Sequence, residues 1–414
     1  MNKKILSLIL ATLRVVGMLA GCGGGSTSTV GGTSTGGGTP PAPTGEKVTL
    51  RVWASQEEQT LLAEMCEAFA AANPDNEYTF EYGVVGENDA RDRFLEDPDA
   101  AADVFMFAND HLRDLVKASA LYEVTRNKDD ITARNIPAAV DAATLNDALY
   151  AYPMTADNGY FLYYDKSVLS EADVAELDTL LEVANDNGKR IFMDVSNGYY
   201  LASFFFGAGC NLWLEDDQQK CDFNNANGLA AAEAIKAFTA DAAFLTGEDP
   251  VITGGMGESI IAGVSGIWNA SAIQEKLGDN YAATKLPTFT MDGKQTQMGS
   301  FAGFKMVGVN SLTKAPVHAM DLADWLTNEA NQQKRFEVRQ YGPSNLNAAG
   351  SDAVKANVAL AALNAQAPYA VSQNDVLGGY WNPAEAFGNA LEAKDYSRDL
   401  QSMLDDLVSQ VEAG

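Results

Sequence analysis

Hydrophobic and polar positions alternate along Lys47–Val52, with Val48, Leu50 and Val52 on one side, and this period of two predicts a strand. After Trp53 and a polar turn the period changes. Leu62, Met65, Cys66 and Phe69 recur at i, i+3, i+4 and i+7, the apolar stripe of an amphipathic helix that Asn73-Pro74 stops. Glu77–Val85 predicts a second strand. Ala102–Phe107 is a short apolar run suited to a buried strand, with Asn109-Asp110 directly after it. Tyr160–Tyr164 and Arg190–Met193 predict further strands, while Ala226–Ala240, Pro316–Asn328 and Ala384–Val411 carry helical periodicity. Strands alternating with helices define an α/β fold class. Leu212 and Leu214 alternate around Trp213 ahead of polar Glu215–Gln219, a hairpin pattern. No repeat of fixed period is visible.

Composition narrows the function. The 414 residues, 46% hydrophobic and 20% charged, allow two domains or one large α/β unit with a sizeable core. Lys and Arg total 28 against 56 Asp and Glu, a formal charge of −28 that repels phosphate backbones and makes nucleic acid an improbable partner. With only His111 and His318, imidazole-rich metal sites and His relays are nearly excluded. The four Cys show no CxxC pairing, so no zinc ribbon, and neither metal nor cofactor is expected.

The N-terminus carries an address. Lys3 and Lys4 precede an apolar stretch, Ile5 to Ala20, interrupted by Arg14, and then Leu19-Ala20-Gly21-Cys22. Small residues before a Cys after an apolar run resemble the bacterial lipoprotein signal. The resemblance implies a signal peptide over residues 1–21, lipidation of Cys22 and anchoring at the outer face of the cell membrane. The stretch is short for a span, and Arg14 at its centre is unfavourable in hydrocarbon. Residues 22–45, rich in Gly, Ser, Thr and Pro, read as a tether. An exported chain folds where disulfides persist. Cys210 and Cys221 flank the hairpin pattern over 211–220, whose two ends could meet within disulfide reach, so a Cys210–Cys221 bridge is expected, with two free thiols as the alternative. Cys66, on the apolar stripe, reads as a small buried hydrophobe.

Several stretches form an ordered series along the chain. They are Leu50-Arg51-Val52-Trp53; Ala102-Asp103-Val104-Phe105-Met106 with Asn109-Asp110; Leu121-Tyr122-Glu123-Val124-Thr125; Tyr150-Ala151-Tyr152-Pro153-Met154; Tyr163-Tyr164-Asp165-Lys166; Gly266-Ile267-Trp268; Leu286-Pro287-Thr288-Phe289; and Gly379-Tyr380-Trp381. Together they resemble the extracellular solute-binding proteins of bacterial ABC importers, the maltodextrin-binding branch in particular. The resemblance implies a two-lobed periplasmic-binding-protein fold (type II), with a ligand cleft between hinged lobes. It divides the chain into a discontinuous N-terminal lobe, 46–155 and 288–340, and a C-terminal lobe, 156–287 and 341–414. It also implies a monomer that delivers a sugar to membrane permease subunits.

Sugar C–H faces stack on aromatic rings, and sugar hydroxyls need fixed acceptors and donors. By position in the motifs, the resemblance assigns ligand contact to Glu57, Phe107, Asp110, His111, Asp157, Asn197, Tyr199, Trp268, Trp381 and Glu385. Each has a plainer alternative. Asp110 can cap a helix, Phe107, Trp268 and Trp381 can be core, and one of Glu57 and Glu58 can be a solvated face. His111 and Glu385 stand where the family has Arg, and Asn197 where it has a carboxylate, so the solute can differ from maltodextrin. An aromatic and acidic pattern fits neutral sugars or cationic solutes, and a binding protein for another solute, such as a polyamine, amino sugar or glycoside, is an alternative. A secreted glycosidase with Asp110 and Asp157 as acid and base is the remaining alternative.

Overall fold

In the computed structural model, which describes residues 45–414, the alternating segment Lys47–Ala54 is strand β1 with Val48, Leu50, Val52 and Ala54 turned inward. The signal segment, the Cys22 lipidation site and all but the last residue of the tether lie outside the described residues. The stripe Leu62, Met65, Cys66 and Phe69 is buried on the helix Gln59–Ala72, which ends at Asn73 before Pro74. Among the described residues, one sheet collects ten strands: β1, β2 (Glu77–Val84), β3 (Val104–Ala108), β4 (Tyr152–Asp165), β5 (Arg190–Phe192), β6 (Phe244–Leu245), β7 (Ile260–Gly266), β8 (Tyr281–Thr284), β9 (Ser300–Val309) and β10 (Ala370–Ser372). Their order is β6-β5-β7-β4-β9-β3-β1-β2, with β8 also pairing β4 and β10 also pairing β9.

Two strands are long because they serve both halves of the molecule. β4 has 14 residues; Tyr152 and Met154 enter a core shared with β1 and β3, and Tyr160, Leu162 and Tyr164 enter a second core. Its antiparallel partner β9 does the same, giving Phe301 to the second core and Met306, Val307 and Val309 to the first. A third link runs beside β4, where Ala156 N–H donates to Gly342 O at 2.8 Å and Thr155 bridges Pro343. The result is two lobes, each with its own apolar interior, joined by three adjacent segments.

Several expectations need correction. Phe289 and Met298 belong to the second core, and the hairpin Thr288–Met291 with Lys294–Gln297 is tied there by Thr288 Oγ1 to Ala175 O at 3.2 Å. The chain therefore changes lobe within β9, not near Pro287. Ala384–Val411 is two helices, Trp381–Glu392 and Leu400–Ala413. Lys394 at φ 56° ends the first, and the Asp399 side chain caps the second by accepting from Ser402 N–H. The hairpin Leu212–Glu215 with Gln218–Cys221 exists and turns at Asp216 and Asp217, both at positive φ as a two-residue type I′ turn needs. Its register sets Leu212, not Cys210, opposite Cys221. Both thiols are buried and free, and Cys210 Sγ faces Asn225 Oδ1 at 3.7 Å.

Candidate ligand-binding site between the lobes

The floor of the seam is made where β4 and β9 lie side by side. Lys305 of β9 pairs with Thr155 on one side and Ala108 on the other, and its side chain is only 8% exposed. Its Nζ stands 3.9 Å from Glu87 Oε1, 5.5 Å from the centre of the Trp268 ring and 5.1 Å from that of Tyr341. Burial works to lower the Lys305 pKa, but Glu87, Tyr341 and Asp157 overcome it and hold the ammonium charged, above its ordinary range. Asp157 lies on β4 with Oδ2 accepting from Gly342 N–H at 2.5 Å, while Oδ1 is buried with no protein partner. Burial raises the Asp157 pKa, and Lys305 and the Gly342 N–H restrain the rise.

The first lobe contributes the turn Asn109–His111 at the end of β3. Asn109 fixes it by accepting from Phe304 N–H at 2.8 Å and donating to Asn374 Oδ1 at 2.5 Å. Asp110 and His111 follow, both buried, with His111 Nε2 3.7 Å from Asp110 Oδ2. Asp110 Oδ1 and His111 Nδ1 have no protein partner, and the Asp110 side chain caps no helix. Burial pushes the Asp110 pKa up and the His111 pKa down, so the imidazole is neutral at pH 7.

The second lobe supplies a wall of rings. Tyr199 stacks on Phe301 (5.7 Å between centres, 11° between planes) and lies 4.7 Å from Tyr160 and 6.4 Å from Trp268. Trp381, at the start of its helix, lies 5.6 Å from Phe301 and 4.9 Å from Tyr380. Both tryptophans are half-buried rather than sealed in separate interiors. Gly266 lets the Trp268 ring lie against the backbone, since a Cβ there would come within 1.9 Å of Cζ3. The Tyr199 hydroxyl is buried without a protein partner.

Other expected contacts stand elsewhere. Phe107 is fully buried in the first core beside Phe105, because β3 is a central strand buried at every position. Asn197 is exposed and caps the helix Gly198–Gly207 by accepting from Tyr199 N–H at 3.0 Å. Glu385 is exposed one turn beyond Trp381. Glu57 is exposed, and its charge adds to the rise in the Asp249 pKa after burial has done most. Its neighbour Glu58 is buried and paired with Arg335 Nε at 2.9 Å. Sequence reasoning missed Glu87, Lys305, Tyr341 and Asp249 as site residues. Lys305 did carry a signal, a charge inside the apolar run Ser300–Val309.

Among the described residues no group of three or more His, Cys, Asp or Glu is placed to hold a metal, and no helix is long and apolar enough to cross a membrane.

The profile of the bacterial extracellular solute-binding proteins matches residues 64–362. The chain belongs to this family. Among relatives, the galactooligosaccharide-binding protein of Bacillus subtilis (strain 168) is 26% identical over 308 residues, spanning 69% of this chain and 70% of that one. A protein solved with acarbose is 31% identical, with a TM-score of 0.79 over 89% of this chain and 99% of its own. The maltodextrin-binding protein MalE1 from L. casei BL23, solved without ligand, is 23% identical and shares the fold, with a TM-score of 0.72 over 88% of this chain and 99% of that one. The fold is thus the two-lobed one that the sequence motifs implied, and the relatives of this family member are binding proteins.

Proposed function

We propose that the protein captures a neutral oligosaccharide of the maltodextrin type between its lobes and delivers it unchanged to the permease subunits of an ABC importer. One observation carries this reading. Buried polar atoms without protein partners, on Glu87, Asp110, His111, Asp157 and Tyr199, gather beside the rings of Tyr199 and Trp268. Burying such groups unpaired is unfavourable, whereas sugar hydroxyls satisfy them as the sugar faces stack on the rings. Trp381 extends the same wall. The three linking segments act as the hinge about which the lobes close. Asp157 is oriented by the Gly342 N–H on Oδ2, which leaves Oδ1 to accept from a solute hydroxyl. A monomer is held at the outer membrane face by lipid on Cys22, since a chain of formal charge −28 gains nothing from anionic headgroups.

A thermal-shift screen over maltooligosaccharides, galactooligosaccharides and amines tests the reading. A ligand that binds only the folded state raises Tm. A saccharide is expected to do so and to be recovered intact. A shift with an amine and with no saccharide overturns the reading. Cys22→Ala is expected to release the protein from the membrane fraction.

A further inference from the structure

Aromatic faces beside a carboxylate are the chemistry that holds ammonium groups. The floor of the seam has that chemistry in the rings of Trp268 and Tyr341 and the carboxylate of Glu87, and an ammonium already sits in it. That ammonium is the chain's own. Lys305 is tethered there, since its backbone is paired to Ala108 on one side and, between two register shifts, to Thr155 on the other. Nor is it a hydrogen-bonded structural pair. Glu87 Oε1 is the one carboxylate oxygen within 4.0 Å among the described residues, and at 3.9 Å it attracts the charge without engaging an N–H. A strand buried along most of its length has no packing use for a lysine, which is seldom fully buried unless paired. Of the groups around it that lack protein partners, Glu87 Oε1 and Asp157 Oδ1 are acceptors, and the Thr155 hydroxyl can donate or accept. A solute hydroxyl can donate to either carboxylate and accept from the ammonium.

We propose that Lys305 determines the specificity of the site. It is a resident ammonium that fills the position where an amine solute would be held, so that polyamines and amino sugars are refused and neutral saccharides accepted. The saccharide half of this inference rests on the proposed function, whereas the exclusion of amines does not.

The test titrates wild type, Lys305→Met and Lys305→Ala with maltotriose, spermidine and propylammonium by calorimetry at one ionic strength. Propylammonium matches the atoms that the Ala variant removes. Wild type is expected to bind maltotriose and neither amine. Lys305→Met, close in shape but uncharged, is expected to lose about tenfold or more in maltotriose affinity, the scale of one charge-assisted hydrogen bond. Lys305→Ala is expected to bind propylammonium and, with it present, to regain maltotriose affinity, whereas 1-propanol, its uncharged match in size, does not restore it. Spermidine binding by wild type overturns the inference, as does a folded Lys305→Ala that takes up no amine. If Lys305→Ala does not fold, Lys305→Met decides: undiminished maltotriose affinity overturns the inference. If wild type binds no maltotriose while Lys305→Ala takes up propylammonium, the saccharide reading fails and the exclusion of amines stands.

Discussion

Gly266→Ala isolates the contribution of the Trp268 ring. A Cβ at Gly266 would stand 1.9 Å from Trp268 Cζ3, 2.1 Å from Cη2 and 2.4 Å from Cε3. Carbon atoms rest at about 3.5–4.0 Å, so the ring must withdraw by about 1.5–2 Å. The backbone offers no objection, since Gly266 lies at φ −98°, ψ −174°, an extended conformation open to any residue. The substitution therefore acts through the ring. A displaced ring no longer meets a sugar face, and it also leaves the Lys305 ammonium with one aromatic contact fewer. Taking an aromatic contact plus its apolar area as about 1–2 kcal/mol, Kd for maltotriose should rise roughly 5–30-fold. Calorimetric titration of wild type, Gly266→Ala, Trp268→Ala and the double variant measures this. With the Trp268 ring already removed, Gly266→Ala should change Kd less than about twofold, because the group it collides with is gone. Unchanged affinity in Gly266→Ala, or an equal loss with and without the Trp268 ring, refutes the assignment of the ring to the binding surface.

Three further outcomes are expected. Arg335→Ala leaves the buried Glu58 carboxylate without its 2.9 Å partner and should lower stability by about 3–5 kcal/mol in urea unfolding, whereas Arg335→Met with Glu58→Leu should be much milder; a loss under about 1 kcal/mol in the single variant contradicts this. The folded pKa of Asp157 is raised by burial, so the native state binds its proton more tightly than the unfolded chain, and wild type should gain stability relative to Asp157→Asn as pH falls from neutral through that raised pKa; melting curves of the pair that stay parallel across this window rule it out. Burial pushes the thiols of Cys66, Cys210 and Cys221 up to about 12, so all three should resist a thiol reagent until denaturant is added, and Tm should not respond to reductant; a mass loss of two hydrogens in the native protein would show a bridge instead.

Local elements were legible because their periods belong to single segments. Leu62, Met65, Cys66 and Phe69 had one helical face to share, and β1 had one inward side. What was not legible depended on which segments meet. The hairpin at 288–297 carries the same alternation whichever lobe it joins, and only the contacts of Phe289 and Met298 with the second core decide it. Cys210 and Cys221 sit at opposite ends of a real hairpin, yet register is counted from the Asp216-Asp217 turn, and the count passes over Cys210. The site divides in the same way. Asp110, His111, Asp157, Tyr199 and Trp268 were named from motifs, and the fold brings them to the seam. Phe107 was named by the same means and is core, because a motif fixes a position along the strand but not what packs above it. Glu87, Lys305 and Tyr341 come from three distant stretches that meet only because β9 runs between β3 and β4 while the third link runs beside β4. A lysine in an otherwise apolar crossing strand is therefore the mark to look for. Such a strand passes from one interior to the other, and the point where it leaves both is the one place on it where a charge can be tolerated and put to use.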